Sequence, residues 1–125
     1  MTRDAWSDED ASDSVRTYVR SIGDHARTVN RERAALLADA LRAASRGVLD
    51  TEARHAAAQL AHQLVGSAGT FGFPVASKLA GELERFFEEG RFDDRQQLND
   101  ARRQIAAIQR ELNTEPPRPD QADAG

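Results

Sequence analysis

The side chains of this 125-residue chain best suited to chemistry near neutral pH are its histidines, His25, His55 and His62, and one of them has an unusual setting. His62 lies in the stretch AQLAHQLVGSAGTFGF, Ala58 to Phe73. Wound as an α-helix at roughly 100° per residue, the segment places Ala53, Ala57, Leu60, Leu64, Ala68 and Phe71 on one side, the expected core face. Ala58, His62, Gly66 and Gly69 fall on the opposite side, with Gln59 and Val65 at its edges. A solvent-facing stripe is normally filled with strong, charged helix formers. Here it carries two glycines, each costing about 1 kcal/mol against alanine in a helix interior. Glycine is kept at such a cost where another backbone or a ligand approaches closely. The pattern therefore predicts an exposed imidazole presented to something bulky.

Other chemistries fit less well. His55 and His62 share a helix face, but seven residues separate them by about 10 Å, too far for two nitrogens to share one zinc at about 2 Å each. No spacing brings His25 and a carboxylate to them, so no metal site is expected. The absence of cysteine excludes thiolate ligands, thiol catalysis and a disulfide framework. A hydrolase needs a nucleophile with its base, or paired carboxylates in a shielded pocket. Ser67 lies five residues on, toward the core side, and Glu82 and Glu84 are expected on a solvated surface. No glycine-rich loop for ATP phosphates is present, so the chain is not expected to act as a kinase or to phosphorylate itself.

His62, Leu64, Gly66, Ser67, Ala68, Gly69 and Gly72 together resemble the phosphoacceptor motif of histidine-containing phosphotransfer (Hpt) domains, and SKLAGELE, Ser77 to Glu84, is similar to the helix that follows in that family. Together the two pieces fall within a stretch of about thirty residues, Ala58 to Glu84. The resemblance implies a phosphoprotein of a multistep two-component phosphorelay. In it His62 accepts and donates a phosphoryl group, through the epsilon nitrogen, from and to aspartates of response-regulator receiver domains. A histidine kinase is a further partner that it allows. It implies no cofactor on this chain, because the Mg²⁺ of the transfer belongs to the receiver. Ala58, Gln59, Gln63, Val65, Gly66 and Gly69 would then border the approaching partner. Reflecting the chain about the turn near Gly72 adds Gly81, Glu84, Arg85 and Lys78 from the next helix. Val65 departs from the family, which often has lysine there to stabilise the phosphate. That departure favours the alternative, an Hpt-like interaction module that docks on a receiver or kinase and modulates it without transfer.

The elements that must position these residues follow from periodicity. From Ser14, Val15, Val19, Ile22, Ala26, Val29, Leu36, Leu37, Ala40, Leu41 and Ala44 recur at helical spacing, with Arg33 the one polar residue in an apolar slot. One long helix to about Arg46 is expected, although Gly23 and the run Asn30 to Arg33 could split it. Gly47 stops it. Asp50 caps a helix over about 51–70, and Pro74 opens a third with Val75, Leu79, Leu83 and Phe86 inward and Gly90 as its stop. Asp94 with Gln97 caps a fourth, whose Leu98, Ala101, Ile105, Ile108 and Leu112 form the cleanest stripe. These elements predict an all-α fold, an antiparallel four-helix bundle.

One domain is expected: a flexible segment over 1–12, where Trp6 could fold back and Ser7 with Asp10 could cap a short helix, the bundle over 13–112, and a disordered tail over 113–125 with three prolines. The net charge of −4 mixes 21 acids with 17 bases along the chain, which argues against a nucleic-acid surface. No apolar run reaches the length of a membrane span or follows a basic start, so the expected location is cytoplasmic. A monomer is the default expectation.

Overall fold

The computed structural model describes residues 8–114. It contains four helices, α1 (Asp8–Ser45), α2 (Thr51–Thr70), α3 (Pro74–Glu89) and α4 (Arg95–Leu112), and no strand among the described residues. The expectations for Trp6, for the Ser7 cap and for 115–125 lie outside the described residues. Helix α1 packs against α2 and α4, as does α3, while the diagonal pairs α1/α3 and α2/α4 do not meet, so the four enclose one core. Leu37, Leu64, Phe73, Leu83, Phe87, Ile108 and Leu112 are fully buried in it. Phe86, Phe87 and Phe92 close one end, with ring centroids 5.1–6.1 Å apart.

The helix ends follow from their capping residues. Asp50 accepts from the Ala53 amide, and Asp94 accepts from the Gln96 and Gln97 amides, satisfying N–H groups that have no partner within the helix. Gly47, Gly72 and Gly90 take positive φ just past the three helices that they end. Other ends are closed from neighbouring helices, which local sequence does not reveal. The Glu111 carboxylate accepts from the Ala76 amide in the first turn of α3. The Arg54 guanidinium donates to the Phe87 and Glu88 carbonyls at the end of α3, and Arg31 donates to the Leu112 carbonyl that ends α4.

Several expectations need correction. Helix α1 begins at Asp8 rather than near 13, and runs unbroken through Gly23 and the Asn30 to Arg33 run. Its apolar positions Val15, Val19 and Ile22 are exposed because the N-terminal part of α1 extends past the ends of its neighbours, and Leu36 is exposed because it lies on the outer face of the packed part, opposite Ala34, Leu37 and Leu41. The polar residue in a core slot is Asn30, fully buried, whereas Arg33 is half-buried and serves it: Asn30 Nδ2 donates to Ser67 Oγ at 3.1 Å and Oδ1 accepts from Arg33 at 2.8 Å. In α3, Val75 is exposed while Ala76, Ala80 and Phe87 are buried. Leu83 and Phe86 are buried as expected and Leu79 is half-buried, so the core face of α3 is the expected one except that alanines, not Val75, fill its first turns. On α2, too, Ala61 is fully buried and Leu60 only half-buried.

Candidate functional site

The site is built where α2 and α3 lie side by side. Contacts pair Gly69 with Ser77, Val65 with Gly81, His62 with Glu84 and Arg54 with Glu88, numbers falling on α2 as they rise on α3. Small residues make this approach close. A Cβ on Gly81 would stand 3.8 Å from Val65 Cγ2, and one on Gly69 only 3.2 Å from Ser77 Oγ. Ser77 is itself fixed, donating to the Val65 carbonyl at 2.7 Å. The backbones are thereby held near enough for side chains four and seven residues further along α3 to reach the next turns of α2.

His62 projects outward from this seam with its side chain 65% exposed. Its Nδ1 lies 3.3 and 3.2 Å from the two carboxylate oxygens of Glu84, whose side chain is 24% exposed. A carboxylate only accepts, so the ring donates from Nδ1. That bond selects the tautomer in which Nε2 carries the lone pair, and Nε2 has no hydrogen-bond partner among the described residues. Glu84 was placed by sequence at the border of the site and also on a solvated surface. The structure makes it the direct partner of His62. Its spacing of seven from Ser77, two helical turns, was the available signal once Ser77 was known to pack on Gly69.

The remaining residues divide. One turn beyond His62, a Cβ on Gly66 would meet nothing within 4 Å. No packing among the described residues explains that glycine, in contrast to Gly69, whose missing side chain makes room for Ser77. Gln59 and Gln63 are exposed beside His62. Ala58 and Val65, expected at the outer stripe, are half-buried and pack against the core. Lys78 and Arg85 are exposed. Arg85 lines a groove between α3 and α4 with Glu82, Glu89, Gln97, Asp100 and Gln104, away from the α2 seam. Neither cation forms an ion pair among the described residues. His25 and His55 are exposed, and no three potential metal ligands are grouped among the described residues. No helix described is long and apolar enough to cross a membrane.

The arrangement offers one nucleophilic nitrogen, oriented by a carboxylate, on a surface with an open glycine beside it. Comparison with known proteins agrees in kind. The family model for the Hpt domain matches residues 13–115. No curated protein and no solved structure matches the chain. The family match spans α2, α3, α4 and all but the first turn of α1, and on that ground the chain belongs to the Hpt domain family, the phosphoryl-carrying modules of histidine phosphotransfer in two-component signalling.

Proposed function

We propose that this antiparallel four-helix bundle is a carrier in a multistep phosphorelay, with His62 as the phosphorylated residue and receiver-domain aspartates as donor and acceptor. The observation that carries the reading is the His62–Glu84 pair: Nδ1 is held by the carboxylate at 3.2 Å while Nε2 is left free on an exposed ring. In transfer, the Nε2 lone pair attacks the phosphorus of an aspartyl phosphate. The N–P bond forms as the P–O bond to the aspartyl carboxyl breaks, and that bond's electron pair stays on the departing carboxylate. The proton on Nδ1 is retained. The ring thus gains positive charge in the phosphorylated product, and the Glu84 carboxylate opposes it. Mg²⁺ on the receiver would offset charge on the transferring group. The reverse sequence passes the phosphoryl group on.

The receiver would approach over Gly66, where there is no side chain to displace, with Gln59 and Gln63 available for hydrogen bonds at the margin. Ala58 and Val65 would form the apolar floor of the contact. Lys78 and Arg85 lie further round α3 and would meet the partner at its rim. The test is transfer of labelled phosphate from a phosphorylated receiver to the full chain. His62→Gln should abolish acceptance with helicity unchanged, because the ring is exposed. Label that persists in His62→Gln, or that moves to depend on His55, overturns the assignment. Binding to the receiver without any transfer would establish the docking module instead.

A further inference from the structure

Among the described residues, the N-terminal part of α1 is a helix without a tertiary partner. Every residue from Ala11 to Ile22 is exposed, and contact with the rest of the bundle begins at Gly23, where a Cβ would lie 4.0 Å from Phe71. Fifteen residues from Asp8 to Ile22 extend about 22 Å. Between Ala11 and Gly23 only Ala11, Arg16 and Arg20 rank among the strong helix formers. A lone helix of this length is marginal in water even with good formers. Yet this one presents Val15, Tyr18, Val19 and Ile22, between 41% and 68% exposed, on a single stripe.

Two features say what covers the stripe. The spacing 15, 18, 19, 22 is symmetric about the midpoint between Tyr18 and Val19, so a second copy crossing in the opposite direction sets Val15 against Ile22 and Tyr18 against Val19. The charge is divided about the same point. Over the eleven residues from Asp8 to Tyr18 the sequence has four acids and one arginine, and over the eleven that they would face, Val19 to Val29, two arginines, one histidine and one acid. Opposite directions bring the acidic part of each helix along the basic part of the other, whereas a parallel pair would bring like against like. We propose that the chain forms a two-fold homodimer through the protruding turns of α1, each copy supplying the same stripe. His62 lies nine residues before Phe71, about 14 Å down the bundle, so the phosphotransfer face stays open in both copies.

A contact of about three turns belongs to the small, weak class of interface. Sedimentation of the full chain from about 10 µM to about 0.5 mM should therefore show a monomer passing into a dimer. Val15→Glu and Ile22→Glu, both at exposed positions, should each weaken dimerisation at least about tenfold with unchanged helicity in the rest of the bundle. Because the chain contains no cysteine, introduced thiols report direction. Val19→Cys, beside the two-fold axis, should form an intermolecular disulfide readily on mild oxidation. Ala11→Cys, on the same face but far from the axis, should not. A monomer throughout the range, dimerisation indifferent to both glutamates, or equal cross-linking at positions 11 and 19 would overturn the proposal.

Discussion

At the residue scale, the question is what Glu84 contributes beyond packing. Its carboxylate holds Nδ1 of His62 and, on the proposed role, would face the charge that the ring gains on phosphorylation, so Glu84→Gln should leave acceptance intact but slower. A charged hydrogen bond of this kind, partly screened by solvent, is worth about 1 kcal/mol. The expected loss is about fivefold in the initial rate of label transfer, by the conversion of 1.4 kcal/mol to a factor of ten. Glu84→Ala should add little to that loss. An unchanged rate in Glu84→Gln would reduce Glu84 to a spacer. Val65 poses the complementary question. Lysine there would place an ammonium about one turn from the phosphoryl group, stabilising it by up to about 1 kcal/mol. Val65→Lys should thus shift the equilibrium toward phospho-His62, and the gain should shrink with added salt. The structure also assigns a second effect: Val65 packs against the core and faces Gly81, so the lysine variant should melt at a lower temperature. The exposure of His62 was legible in the sequence because it falls opposite the apolar face, on a stripe whose glycines run against helix propensity. The bond to Glu84 was not, since it depends on how closely α3 lies against α2, which the contacts of Ser77 with Gly69 and of Gly81 with Val65 set.

At the scale of the element, α2 holds two glycines that look alike in sequence and differ in space. Gly66→Gln adds a side chain into open solvent, so the helix should gain about 1 kcal/mol while receiver binding is lost. Gly69→Ala meets Ser77 Oγ at 3.2 Å. Ser77 is held by its bond to the Val65 carbonyl, so the gain in propensity is offset by forcing α3 away. Gly69→Ala should be neutral or destabilising, and thermal melts of the two variants should move apart. Equal melts would mean that α3 yields at no cost. The limits of α2, α3 and α4 were readable because each is punctuated by a residue with one physical role: Asp50, Pro74, Gly90, Asp94. The inward stripe of α4 was readable too, since Leu98, Ala101, Ile105, Ile108 and Leu112 repeat at helical spacing among polar neighbours, and all five are buried. Helix α1 resisted the same reading. Its apolar period continues from the core part into the protruding part, and periodicity does not tell where the neighbouring helices stop.

At the scale of the molecule, α1 is joined to α2 by one polar contact inside the core among the described residues. Asn30 is completely buried, its amide donating to Ser67 of α2 and its carbonyl oxygen accepting from Arg33. Ser67 is in the segment that matches the family motif, but it points away from His62 and toward α1, so its role here is structural. A buried polar pair contributes modestly when complete and penalises strongly when broken, because the abandoned group has lost water without replacement. Ser67→Ala should therefore cost about 1–3 kcal/mol by leaving the Asn30 amide unpaired. In a domain of this size each 1 kcal/mol is worth about 4–8 °C in melting temperature. Asn30→Leu alone should also destabilise, since it strands the Ser67 hydroxyl and part of the Arg33 guanidinium. The combination Asn30→Leu with Ser67→Ala removes both partners and fills the space with apolar volume. It should be more stable than the sum of the single losses by at least about 1 kcal/mol, the coupling expected of groups in one network. Strict additivity in thermal denaturation would mean that the two residues act separately and that α1 is held to α2 by apolar packing alone. The same variants should keep receiver phosphotransfer wherever they remain folded, since none of the altered groups touches His62.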